Sequence, residues 1–242
     1  MAGIAVELIV SWILLWFICK KHLSVLGLSP TKMRVAELAI GLLLAAACCT
    51  VYQLMTTAFI DNGWVANKQA TLKAILEKSR WTLVSVLYED MIFRGALLYI
   101  AIQRLGIAKA CFLSAIAFGI YHWFTFNVLG NPLMMVVTFL MTALVGLSWA
   151  FAFAKTSSLY LPIGLHLGWN LIGAIVFSKS PSAQAILVKV NAHQAQGLLS
   201  LLIFLFQVAA LPLVTFWYLS RISARRKITV GKDQMPLTDA VH

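Results

Sequence analysis

Charge is what this sequence has least of. Only 11% of its 242 residues are Asp, Glu, Lys or Arg, against about 25% in an ordinary soluble domain, while 61% are hydrophobic. No soluble core of this length hides so much apolar surface. A water-soluble globular protein is therefore excluded, and lipid becomes the solvent for most of the chain. Acid is scarcer still, with eight Asp and Glu against nineteen Lys and Arg, a net charge of +11. That excess does not point to nucleic acid, because the basic residues fall between apolar runs and near the C-terminal end rather than on a patterned face. It suits anionic lipid headgroups and orientation in a bilayer. Cysteine is sparse as well. Cys19, Cys48, Cys49 and Cys111 lie in or beside apolar runs, without the spacing of a zinc site, redox motif or disulfide framework, and read as small packing residues. No basic stretch precedes the N-terminal apolar run, so residues 2–19 read as a first span and not a signal peptide.

What is present is a succession of continuous apolar runs of roughly 20 residues, at about 2–19, 35–59, 81–102, 108–126, 132–153, 161–177 and 197–219. Continuity without strict alternation favours helices over a barrel. The fold class expected is all-α: a polytopic transmembrane helix bundle of about seven spans, one domain over residues 1–220, followed by a basic, loosely ordered tail at 221–242. Asn67 stands where it could cap a helix over 68–80. Leu72, Ile75 and Leu76 share one face of that stretch while Lys73, Glu77 and Arg80 lie elsewhere, the pattern of an interfacial amphipathic helix. Twelve of the nineteen Lys and Arg fall on one side of the expected bundle and six on the other, with Arg94 inside a span. This bias places the C-terminus in the cytoplasm and the N-terminus outside, with the bacterial cytoplasmic membrane as the expected location. Glu7 and Glu37 read as interfacial carboxylates.

Three spans carry side chains that lipid does not tolerate for nothing. A charge at mid-bilayer costs about 2.5–3.5 kcal/mol on insertion scales. The third span holds Glu89, Asp90 and Arg94, the fourth His122, the sixth His166 and Asn170. Such groups face the bundle interior or a wet cavity and find partners there. Asp90 and Arg94 are four residues apart and share a helix face, so they can pair. Glu89 points about 100° away from Asp90 and is free of Arg94. His166 and Asn170 stack one turn apart, as do Phe118 and His122. A carboxylate with two histidines is either a proton-transfer set or a His₂-carboxylate metal site over Glu89, His122 and His166, for which zinc is the candidate ion. A nearby amide is the right kind of donor for an oxyanion.

The strings Glu89-Asp90-Met91-Ile92-Phe93-Arg94, Phe118-Gly119-Ile120-Tyr121-His122 and His166-Leu167-Gly168-Trp169-Asn170 resemble the signature of the CPBP family, the CAAX protease and bacteriocin-processing intramembrane proteases. That signature reads Glu-Glu-x-x-x-Arg, Phe-x-x-x-His and His-x-x-x-Asn or Asp on successive helices. The resemblance covers about residues 81–177 and departs at Asp90, where the family carries glutamate. It implies a glutamate-dependent or metallo-type endopeptidase acting on a membrane-associated, lipidated protein or peptide, with Glu89 and His122 activating water and His166 and Asn170 stabilising the oxyanion. Arg94 and Asp90 are supporting residues in this reading. A non-catalytic membrane scaffold or bacteriocin-immunity protein of the same family, and a transporter using the same buried groups, are the alternatives. One feature resists a simple alignment of the spans: His166 stands only five residues into the sixth run, so either that helix starts earlier, near Lys155, or its neighbours are shifted.

Overall fold

The computed structural model describes residues 2–178, 185–191, 193 and 195–233. Lipid offers no partners for backbone N–H and C=O groups, so the apolar runs resolve into helices that satisfy themselves. Helix α1 (Ala2–Leu14) tightens into a π-helical turn (Leu15–Cys19) and stops where Lys20 adopts a left-handed φ of 53°. Helix α2 (Lys32–Ile60) begins under Thr31, whose hydroxyl accepts from the Arg34 N–H at 3.2 Å. There follow α3 (Leu72–Arg94), α4 (Ala96–Leu105), α5 (Ile107–Thr125), α6 (Pro132–Thr156), α7 (Tyr160–Leu171, prolonged by a π-helical turn at Ile172–Val176) and α8 (Gly197–Asp233). Helices α2, α5, α6 and the Gly197–Ile222 part of α8 are each long and apolar enough to cross a membrane, while α1 and α7 with their π turns are shorter apolar helices. The outer surface bears Leu43, Leu133, Leu213 and Trp217, all more than half exposed, as a lipid-facing surface should. The chain is a membrane protein with an all-α bundle.

Five local expectations change. The third span is not one helix over 81–102. It breaks at Gly95 (φ −82°, ψ −133°), a conformation in which a side chain would run into the Met91 carbonyl, so α3 and α4 meet at an angle that only glycine permits there. The amphipathic stretch at 68–80 is not a separate interfacial helix, because it holds no Gly or Pro to end it and propagates into the span as the first turns of α3. Its cap is Thr71, which accepts from the Ala74 N–H, and Asn67 closes a local turn onto the Gln69 N–H instead. The sixth span does not begin near Lys155. Ser157 ends α6 in a left-handed conformation (φ 53°), and the Ser158 hydroxyl accepts from the Tyr160 N–H as α7 starts. The last helix continues to Asp233 through Ala224, Arg225, Arg226 and Lys227, which are strong helix formers; residues 234–242 lie outside the described residues. Glu37, read as interfacial, is buried with 4% of its surface exposed.

The connections α2–α3 and α7–α8 leave the bundle at the same end, and there they pair. Strands β1 (Trp64–Ala66), β2 (Phe177–Ser178) and β3 (Leu187–Lys189) form a small sheet in the order β1-β3-β2, with β3 antiparallel to β1 and parallel to β2. Trp64 pins it to the bundle, donating to the Thr57 hydroxyl at 2.9 Å and meeting Phe177 edge-on at 5.0 Å. Side-chain alternation is unreadable in strands of two or three residues, so these were invisible as periodicity.

Two close contacts set the position of the chemistry-bearing helices. Helix α7 lies directly on α2, and a Cβ on Gly164 or Gly168 would strike the Leu38 or Leu42 carbonyl. Without a hydrophobic drive between helices in lipid, such small-residue seams let backbones approach and pack. His166 lies between these two glycines and is held at one depth by them. Phe118, Trp149, Leu161, Leu165 and Leu211 then form a buried cluster that joins α5, α6, α7 and α8, and this cluster is the floor of the site.

Candidate active site

Helix α3 presents Glu89 and Asp90 on different faces, α5 presents His122, and α7 presents His166 and Asn170. The fold brings them together although 77 positions separate Glu89 from His166. One Glu89 oxygen, Oε2, stands 3.9 Å from His122 Nε2 and 3.8 Å from His166 Nε2. These distances exceed a direct hydrogen bond and fit groups that share a small molecule between them. The other oxygen, Oε1, accepts from the Ser85 hydroxyl one turn earlier at 3.3 Å. The two oxygens thus differ in role: one is held, the other is offered.

Each histidine is oriented through its second nitrogen. His122 Nδ1 lies 2.8 Å from the Phe118 carbonyl oxygen. A carbonyl only accepts, so Nδ1 carries hydrogen and the neutral ring turns the Nε2 lone pair toward Glu89. The rings of Phe118, Tyr121 and Phe126 surround it at 4.4, 5.3 and 5.1 Å. His166 Nδ1 lies 3.3 Å from Asp90 Oδ2, and its ring is stacked on the Trp149 indole at 4.3 Å and 24°. Away from Glu89, His122 is therefore backed only by a neutral carbonyl and aromatic rings, whereas a carboxylate and an aromatic face back His166. A positive charge developing on His166 is met by both.

Asp90 and Arg94 stand behind this front. Their side chains are fully buried and pair at 3.3 Å, Nη1 to Oδ1. The pair is an ion contact without an aligned hydrogen bond, since Asp90 Oδ1 and all three guanidinium nitrogens have no hydrogen-bond partner among the described residues. The Phe118 ring supplies part of the compensation, with the Arg94 guanidinium carbon 3.9 Å from its centroid. Asp90 is thus a bridge, Oδ1 to Arg94 and Oδ2 to His166, and the shorter carboxylate that departs from the family pattern still makes both contacts.

Glu89, His122, His166 and Asn170 line one cavity of about 330 Å³. The expected working set is united there, and Asp90 and Arg94 do not reach its wall. Three residues of the site escaped sequence reasoning. Trp149 looks in the sequence like any other packing tryptophan of an apolar span, yet it stacks on His166. Ser85, which holds Glu89, was legible only as a serine at i−4. Gln207 of α8 lines the cavity as well, and its signal was available: a carboxamide inside an apolar span.

Zinc chemistry suits the donor types, since both Nε2 atoms and a carboxylate oxygen converge. The spacing is less suitable. Zn–N bonds of about 2.0–2.1 Å put two ligands of a tetrahedral ion roughly 3.3 Å apart, and here the separations from Glu89 Oε2 are 3.8 and 3.9 Å. Among the described residues no group of three His, Cys, Asp or Glu side chains is arranged to hold a metal ion.

Comparison with known families finds a match over part of the chain. Residues 72–172 match the family model described as type II CAAX prenyl endopeptidase Rce1-like. That segment is Rce1-like. It begins with α3 and ends at the π turn of α7, so it contains all three motifs and both histidines, and the resemblance to the CPBP family is borne out over it. The match supports a protease of the CAAX type that works in the membrane. No curated protein and no solved structure matches the chain.

Proposed function

We propose that this protein is an intramembrane endopeptidase that hydrolyses a peptide bond near the C-terminus of a membrane-associated, prenylated protein. The observation that carries the reading is the approach of Glu89 Oε2 to two histidine Nε2 atoms, at 3.8 and 3.9 Å, inside one cavity.

The chemistry follows from the hydrogen-bond roles. A water between Glu89 and His122 donates one hydrogen to the Glu89 carboxylate and one to the His122 Nε2 lone pair. As its oxygen attacks the scissile carbonyl, Glu89 takes the proton. The carbonyl oxygen gains negative charge and meets His166 Nε2–H and the Asn170 amide, whose donors face the same cavity. His166 donates from Nε2 when it carries both ring protons, the form in which Asp90 and the Trp149 face balance its charge. Collapse of the tetrahedral species expels the amine, which receives the proton held by Glu89. Ser85 keeps Glu89 turned toward the water throughout. Low dielectric around the cavity strengthens each of these interactions relative to water.

The test is cleavage of a quenched fluorescent farnesylated peptide ending in a Cys-aliphatic-aliphatic-X sequence by protein in liposomes. Glu89→Ala, His122→Ala and His166→Ala each abolish cleavage while insertion and folding persist. Activity retained by the His122→Ala protein refutes the assignment.

A further inference from the structure

Gln207 lies in α8, outside the segment that matches the family model, yet it lines the same cavity as Glu89, His122, His166 and Asn170. Its neighbours in sequence are apolar from Leu201 to Phe206 and from Val208 to Val214. A carboxamide at this place in a span is costly unless it pairs or faces a wet cavity. No hydrogen-bond partner for it is among the described residues, and its polar atoms are not among the buried unpartnered ones, so the amide meets the cavity space. Val208 and Leu211, 5% and 0% exposed, anchor the adjoining face of α8 in the bundle.

A primary amide offers donors and an acceptor side by side. The complementary partner is another amide: a peptide group in an extended segment, whose N–H and C=O it can engage together. Neither a lipid chain nor a lone carboxylate uses both halves. We propose that Gln207 is a substrate-positioning residue that hydrogen-bonds the main chain of the peptide being cut, on the wall contributed by α8. This inference rests on the endopeptidase reading and deepens it: binding of the peptide backbone is assigned to a helix separate from those that carry the reaction.

The expected signature is a split between binding and turnover. Kinetics of the same farnesylated peptide in liposomes should show KM raised about tenfold in Gln207→Leu, the loss of about 1.4 kcal/mol of hydrogen bonding, with kcat within twofold. Gln207→Asn should recover part of the loss. Leucine suits a membrane span, so insertion is preserved. A second arm measures equilibrium binding of the intact peptide to the hydrolysis-deficient Glu89→Gln protein, with and without Gln207→Leu. Weaker binding in the double variant supports the assignment even where the wild-type protein leaves the peptide uncut, the outcome that would sink the protease reading alone. Equal Kd in the two proteins, an unchanged KM, a fall in kcat at constant KM, or a peptide that binds neither protein each overturns it.

Discussion

Replacing Gly146 by alanine adds one methyl group at the back of the site, and its consequences can be worked out from distances. A Cβ there would lie 2.8 Å from Phe118 Cδ1 and 3.0 Å from Arg94 Nη2. Carbon atoms rest comfortably at about 3.5 Å or more, so the Phe118 ring has to retreat by roughly 0.7 Å. Its retreat is hemmed in: the ring is 1% exposed, with the Arg94 guanidinium 3.9 Å away and the His122 and Phe93 rings at 4.4 and 5.1 Å. Any shift of α5 at Phe118 also moves the carbonyl that orients His122 Nδ1. Overpacking of this kind costs about 1–3 kcal/mol. A displacement near 1 Å in a reacting group costs about 10²-fold in rate, so Gly146→Ala should lower kcat by roughly 10- to 100-fold. The assay is peptide cleavage in liposomes beside thermal unfolding in detergent. Adding Phe118→Leu should relieve the clash and show non-additive coupling on the order of 0.5–3 kcal/mol in stability. A Gly146→Ala protein with wild-type kcat and unfolding temperature refutes the packing argument. One that unfolds earlier but cleaves normally refutes the claim that this wall positions His122.

Two further outcomes separate the front of the site from its back. Asp90→Asn leaves the buried Arg94 guanidinium without its anion and should cost about 3–5 kcal/mol of stability, read as a lowered unfolding temperature together with lost cleavage, whereas Glu89→Gln, whose carboxylate faces the cavity, should lose cleavage with little change in unfolding. Incubation with EDTA should leave cleavage unchanged if the donors stay at the spacing seen; inactivation that is restored by zinc would show that Glu89, His122 and His166 close on an ion.

Much of the site was legible because lipid makes polar residues conspicuous. Glu89, Asp90, Arg94, His122, His166 and Asn170 stand out against apolar runs, and the helical period alone separates the face of Glu89 from that of Asp90. Depth was not legible. It depends on where α3 begins, nine positions before the apolar run suggests, and on the Gly164 and Gly168 seam that seats α7 on α2. His166 reaches Glu89 with α3 starting at Leu72 and α7 starting at Tyr160, without an earlier start to α7. The pairing of Asp90 with His166 was equally out of reach, because the expected partner at i+4 used only one of its two oxygens.

Composition and periodicity by themselves determined that this chain lives in lipid, that it is helical, and which few side chains must be buried together, since each of these follows from the cost of exposing polar groups to hydrocarbon. Only the tertiary structure decided which atoms face one another. It turned Oε2 of Glu89 toward two Nε2 atoms, placed Trp149 against His166, and brought Gln207 from the far end of the chain to the cavity wall. Such choices are made by interhelical packing between residues distant in sequence, and no local pattern encodes them.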